Sequence, residues 1–414
     1  MIFSEILAFT LLGCLVGIFT GIIPGIHINM ISALVVASLP IFSSFSPISV
    51  ASLIMAMSVT HTFLNFIPSV LFGAPDPDSA LSVLPGHQML LAGRGLEAIK
   101  LTGLGSLISL LITAMVFLPV VFILPLVYDF VKTKMFYILL VVTGLSIGTE
   151  RNFLKAGFLF LLSGALGMLL LNSKMFTSGI IFPALTGMFG TSTLLLSMQR
   201  RERIPQQIKA KASLKAGSVL KNSILGAVAG MIVGFLPGVG ATQATHLVQK
   251  SNKKRDAREF LVATSGVNTA NIIFTLVVLY AIGRTRSGVV IAIEKIVENF
   301  GMVELVVLLG VILGAGGIAM LLHVWIGTFF TKQIGKSKEG FYNKINILIL
   351  LIILGSVFWL TGFIGLLILF LCTVIGLIAP MSKVKRSQCM GFFIIPVMLY
   401  YGGVGVWLMT LLQI

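Results

Sequence analysis

Long apolar runs, interrupted at a few places by proline and glycine, dominate the chain. Leu101–Val127, Phe153–Leu171, Val303–Phe330 and Ile345–Leu360 are apolar around the whole helical circumference. Segments of this kind, near the ~20 residues a bilayer crossing needs, predict membrane-spanning helices. Two interruptions of this pattern match. Gly13, Gly17, Gly21, Pro24 and Gly25 recur as Gly226, Gly230, Gly234, Pro237 and Gly238, each 213 residues later. Pro183 with Pro396 and Gly190 with Gly403 keep the same offset. With 43 glycines in 414 residues, chance does not account for so many matches in one frame. The chain therefore reads as two related halves, 1–197 and 222–414, joined by a linker at 198–221.

Glycines four apart lie on one helix face and admit a second helix at close range. The Pro-Gly pair then ends the helix, because proline lacks an N–H and glycine tolerates positive φ. Backbone groups freed at membrane depth are tolerated only inside protein or beside a wet cavity. Each half thus predicts a re-entrant hairpin broken at Pro-Gly, followed by about five crossings. In the first hairpin a second half-helix is expected to start near His27 or Ile28.

Composition agrees: 57% of residues are hydrophobic and 10% charged, against about 25% charge in soluble domains. This excludes a secreted soluble protein and fits an all-α polytopic protein of the cell membrane, whose first partner is the lipid bilayer. The net charge of +16 reads as cytoplasmic loop charge rather than nucleic-acid binding. Six clusters, 94–100, 151–155, 200–221, 250–258, 332–344 and 383–386, hold 23 of the 29 Lys and Arg. Putting all six inside places both termini outside, gives each half an odd number of crossings and makes the repeats inverted. Cys14, Cys372 and Cys389 have no metal or disulfide spacing and read as apolar fillers.

The breaks carry the candidate chemistry. A half-helix beginning after Pro24-Gly25 or Pro237-Gly238 would aim free N–H groups and a positive dipole end into the protein, a geometry that suits an anion. Polar groups follow both: His27 and Asn29 in the first, Gly240, Thr242 and Gln243 in the second, then Asn268 and Asn271. A glycine packing face with a proline kink and satisfied polar side chains is the plainer alternative. Asp76 and Asp78, in Gly73-Ala-Pro-Asp-Pro-Asp-Ser79, stand where the other half has Arg284 and Arg286. The carboxylates fit cation coupling, ion pairs with those arginines, solvated loops or, for Asp78, a helix cap. The arginines fit anion binding as well as solvated loops. The histidines show no metal-like spacing, so no metal site is expected.

No phosphate loop, nucleophile elbow or His-Glu-x-x-His occurs, so neither ATP hydrolysis nor a common hydrolase chemistry is expected, and no cofactor beyond a coupling Na⁺ or H⁺. The chain reads as a permease core, with any receptor encoded elsewhere. Two rival readings are a transporter of lipid-linked phosphate on the same inverted hairpins and, further off, an intramembrane lipid-modifying enzyme using Asp76, Asp78 and His87.

Gly-Ile-Ile-Pro24-Gly25, Gly73 to Leu81 with Leu84-Pro-Gly-His-Gln-Met-Leu-Leu-Ala-Gly-Arg94-Gly, and Gly234-Phe-Leu-Pro-Gly-Val-Gly-Ala-Thr242 resemble the large membrane subunit, TctA, of the tripartite tricarboxylate transporters, in its shorter archaeal form. Asn268 and Asn271 resemble the Asn-rich stretch that follows that family's second Pro-Gly. The chain departs where His27 replaces a glycine and where Gly-Ala-Pro-Asp-Pro-Asp replaces a Pro-Gly-Glu-Pro-like segment. The resemblance implies ion-driven uptake of a di- or tricarboxylate, with an extracytoplasmic solute-binding protein and a small membrane subunit as partners.

Overall fold

A computed structural model describes residues 2–23, 28–72, 83–148, 150–172, 180–199, 205–208, 214–235, 244, 256–284, 287–334 and 341–403. Every regular element among them is helical, and eight helices have the length and apolarity to cross a membrane.

The first half opens with α1 (Ile2–Ile22), α2 (Ile28–Ala37) and α3 (Pro47–Leu64), the last continued by α4 (Phe66–Phe72). Ile28 is the first described residue of α2, and the expected Pro24-Gly25 break lies outside the described residues. α1 and α3 run parallel. A Cβ on Gly13 would lie 2.3 Å from the Leu53 carbonyl oxygen, one on Gly17 2.6 Å from Thr60 Cβ, and one on Gly21 2.7 Å from Leu64 Cβ. Glu5 Oε2 closes the start of the pair, accepting from Ser46 N (3.2 Å), Ser46 Oγ (2.9 Å) and Ser49 Oγ (3.0 Å). By Ser46 the chain has therefore returned to the level at which α1 begins. At about 1.5 Å per residue, α1 is long enough to cross the apolar layer.

The second half repeats this pairing. α11 (Ala216–Phe235) lies parallel to α12 (Ala257–Ile282). Gly226 faces Ala263 and Gly266, Gly230 faces Val267 and Ala270, and Gly234 faces Asn271 and Phe274. Most of these partners stand 210 residues after partners of Gly13, Gly17 and Gly21. The closing bond is also present with its residues exchanged. Ser218, 213 after Glu5, donates to Glu259 Oε1 at 2.6 Å, and Glu259 stands 210 after Ser49.

The halves interlock through α6 (Gly95–Lys132) and α14 (Met302–Ile334). Gly95 lies near Thr331, Ile99 near Gly327, Gly103 near His323, and Leu110 near Gly316, so the two helices are antiparallel. α6 also packs on α12, where Ser106 Oγ donates to the Ser265 carbonyl (3.2 Å), and α14 packs on α3. The core stretch of α3–α4 is 100% buried and that of α12 94%, against 28% for α1 and α6. These two are the central helices, and the others turn an apolar face to lipid.

A second group of helices comprises α7 (Met135–Gly148), α8 (Phe153–Asn172), α9 (Ile181–Leu185), a π-helical turn over Thr186–Thr191, α10 (Ser192–Gln199), α15 (Phe341–Met381) and α16 (Gly391–Tyr401). Gly362 (φ 63°, ψ −155°) breaks α15 into two arms just past Leu360, where the apolar run expected from Ile345 ends. A straight helix of 41 residues would reach about 61 Å, twice the apolar layer. α11 begins at Ala216, inside the stretch read as linker. Gln207 fastens that linker to the first half: its Oε1 accepts from Gly95 N (2.8 Å) and its Nε2 donates to the Leu90 carbonyl (3.0 Å). Gly95 follows α5 (Val83–Leu91) at the start of α6.

Candidate functional site

Polar side chains collect where the two interruptions begin. Gly21, in the last turn of α1, approaches Leu64 and Asn65, and Gly234, in the last turn of α11, approaches Asn271. The central helices carry a belt of neutral groups at these levels. Thr62 Oγ1 of α3 lies 3.5 Å from Thr269 Oγ1 of α12 and joins the halves through the core. Asn65 is 2% exposed, and neither atom of its amide has a hydrogen-bond partner. Asn268 is 4% exposed with Nδ2 unbonded, and Asn271 Oδ1 is likewise unbonded.

A buried amide group without a partner costs about 1–3 kcal/mol, and nearly all buried polar atoms avoid this. Asn65, with both amide atoms unpartnered, and Asn268 and Asn271, with one each, lie on two adjoining helices and make this belt the candidate site. Their amides offer both donors and acceptors, and the described belt carries no Asp, Glu, Lys or Arg.

Four of the predicted site residues fall among the described residues. Asn268 and Asn271 lie in the belt. Asn29 lies elsewhere: its Oδ1 accepts from Val289 N (3.2 Å) in the first turn of α13 (Gly288–Ile296), beside the Ser287 hydroxyl that accepts from Val290 N (3.3 Å). This bond ties α2 of the first half to a short helix of the second. Arg284 follows Gly283, the left-handed residue (φ 59°) that ends α12, and is exposed. Pro24, Gly25, His27, Asp76, Asp78, Pro237, Gly238, Gly240, Thr242, Gln243 and Arg286 lie outside the described residues.

Sequence reasoning missed Asn65, Thr62 and Thr269 as site residues. The available signal was an asparagine three residues before Pro68 in an otherwise apolar crossing. Two histidines are held by protein groups: His323 Nε2 meets the Ile99 carbonyl (2.8 Å) and Thr102 Oγ1 (3.1 Å), and His87 Nδ1 lies 3.1 Å from the Val70 carbonyl.

Charges concentrate at the helix ends. Fully buried Glu97 pairs with Arg94 (2.6 Å) at the start of α6. Asp256 caps α12 by accepting from Arg258 N (3.0 Å), and the Arg258 guanidinium (2.6 Å) holds the Asp256 carboxyl below its ordinary range.

The described residues thus make a helical membrane protein with two central helices largely shielded from the outside, which carry unpartnered amide atoms beside Gly21 and Gly234. The model of the tripartite tricarboxylate transporter TctA family matches residues 7–391. An uncharacterized protein of Methanocaldococcus jannaschii is 31% identical over 402 residues, which cover 95% of this chain and 98% of that protein. The chain belongs to the tripartite tricarboxylate transporter TctA family and is a multi-pass membrane transporter, not an enzyme. No solved structure matches it.

Proposed function

We propose that this chain is the permease of a secondary active transporter that moves a di- or tricarboxylate across the cell membrane, driven by a Na⁺ or H⁺ gradient. The observation that carries this reading is the set of unpartnered amide atoms, Asn65 Oδ1 and Nδ2, Asn268 Nδ2 and Asn271 Oδ1, at the levels of Gly21 and Gly234. Amide N–H groups and half-helix N-termini suit carboxylate oxygens without placing a fixed charge in the membrane. Asp76 and Asp78 are the acidic candidates for coupling.

The two halves act as inverted repeats around this belt, each with a re-entrant hairpin, and both termini face outside. The antiparallel packing of the corresponding helices α6 and α14 supports the inversion. An extracytoplasmic solute-binding protein delivers the anion, and a small membrane subunit completes the complex.

The test is uptake of labelled di- and tricarboxylates into proteoliposomes under imposed Na⁺ or H⁺ gradients, with and without a solute-binding protein from the same gene neighbourhood. Uptake should require one gradient, and N268A and N271A should raise the half-saturating substrate concentration. No uptake of any carboxylate in any arm would refute the substrate assignment.

A further inference from the structure

The two central helices carry matching glycine contacts but differ at Asn65 and Pro68. Pro68 lies within α4, one turn after Leu64. It has no N–H to give, so the Leu64 carbonyl lacks its intrahelical donor. The next residue, Asn65, separates α3 from α4 and holds a fully buried amide with no partner at either end. Its own carbonyl is occupied by Ser69 Oγ (3.0 Å).

Nothing of this kind occurs in α12. Thr275, 210 after Asn65, turns its hydroxyl back to the Ile272 carbonyl (2.9 Å), and Val278, 210 after Pro68, keeps its N–H. α12 runs unbroken from Ala257 to Ile282.

We infer that the junction of α3 and α4 at Asn65 is a binding site for Na⁺, formed by Asn65 Oδ1 and the Leu64 carbonyl, and that it is the site of the coupling ion. The inference rests on the transport reading above and assigns its cation. Carbonyl and amide oxygens are hard neutral ligands that replace the water of a small monovalent cation, and broken membrane helices hold Na⁺ in this way. Neither group titrates, so a proton finds no base in them. A divalent ion would place two uncompensated charges in a neutral, buried setting at far greater cost. With Oδ1 turned to the cation, Nδ2 of the same side chain is left to donate to the anion. Cation and carboxylate then strengthen each other's binding by one common factor.

The experiment measures equilibrium ²²Na⁺ binding to the purified full chain in detergent, with choline chloride holding ionic strength constant. Carboxylate counterflow in proteoliposomes is measured in parallel. Wild type and the lipid-facing control G310A should bind Na⁺ saturably. N65A should raise the half-saturating Na⁺ concentration at least tenfold, whereas N65D, which keeps the oxygen, should stay within about threefold of wild type. P68A returns an N–H to the Leu64 carbonyl and straightens a helix that it should also stabilise, so its weaker Na⁺ binding cannot come from misfolding.

Wild-type Na⁺ binding in folded N65A and P68A overturns the inference, as does its loss in D76N or D78N alone. Carboxylate counterflow without any Na⁺ binding in wild type overturns the inference and leaves the transport reading standing. Asn65-dependent Na⁺ binding without counterflow of any carboxylate has the opposite meaning.

Discussion

If the glycine contacts set the distance between α1 and α3 and between α11 and α12, one methyl group should reverse the sign of a substitution that ordinarily stabilises a helix. Gly→Ala at an open helical position gains about 1 kcal/mol. Gly310 is such a position, with no atom within 4 Å of a would-be Cβ. At Gly17 the new methyl would lie 2.6 Å from Thr60 Cβ and 2.8 Å from the Met57 carbonyl oxygen. Carbon atoms pack best at about 3.5–4.0 Å, so α1 must back away by about 1 Å along a well-packed seam. Overpacking of this kind costs about 1–3 kcal/mol, which outweighs the propensity gain.

Gly230 is similar, but its worst contact, 2.7 Å, is to the side chain of Ala270, which can be removed. G310A should therefore stabilise and G17A and G230A should destabilise. A270G should recover much of the loss in G230A, though the Val267 carbonyl at 3.0 Å keeps the rescue incomplete. The assay is thermal unfolding followed with a fluorogenic maleimide. Cys14, Cys372 and Cys389 are all free and buried, and Cys14 sits beside the seam on α1. One kcal/mol moves Tm by about 2–4 °C in chains of 150–250 residues and by less in a longer one, so replicate melts must resolve about 1 °C. Stabilisation by G17A and G230A equal to that of G310A, or no rescue by A270G, would refute the close-packing argument.

Three further outcomes follow from charges and caps. R94A should lower Tm more than E97Q does, because it strips the guanidinium from a fully buried carboxylate, whereas E97Q leaves a 37% exposed arginine that water can solvate. D256A should cost about 1 kcal/mol at pH 7 through loss of the α12 cap. Because the Asp256 carboxyl sits below its ordinary range when folded, its charge-dependent stabilisation is complete above pH ~4 and is lost as pH falls through the lowered folded value. The Tm difference between wild type and D256N, which keeps a cap acceptor, should accordingly shrink in acid, as melts from pH 7 down to pH 3 would reveal. Asn29 reaches Val289 N through its oxygen, so N29D should hold wild-type Tm while N29A lowers it. Wild-type Tm in N29A with impaired uptake would instead mark Asn29 as a substrate ligand.

The repeat and its seams were legible in the sequence because close helix contact leaves a mark of its own, glycine every fourth residue, ending at Pro-Gly. The turn at Gly362 lies just past Leu360, where the apolar run expected from Ile345 ends, and the 41 residues of Phe341–Met381 are too many for one crossing. Asn29 was harder, since its partner lies 260 residues away and no periodicity records a cap across two halves. Glu5 and Ser218 escaped notice because the closing bond survives an exchange of donor and acceptor, so the aligned residues do not look alike. Nothing in the sequence pattern singles out Asn65. Its standing out depends on the helices that bury it and on the absence of any partner, which are properties of packing.

The repeat therefore preserves one kind of feature and not another. Steric contacts recur position by position: Gly17 against Met57 and Thr60, Gly230 against Val267 and Ala270. The closing bond recurs with its atoms traded. Yet the polar residues facing the breaks do not match, since His61 aligns with Asn271 and Asn65 with Thr275 at the 210-residue offset. Two halves that rock about a shared axis must be alike in shape, because each takes the other's place when access alternates. They need not be alike in chemistry. A site that binds an anion and a cation together gains from mutual attraction only if the two ligands meet different groups. Symmetric seams around an asymmetric belt suit the coupled transport of an organic anion proposed above, and Asn65, unpartnered where Thr275 bonds back to Ile272, is one point at which the described halves differ.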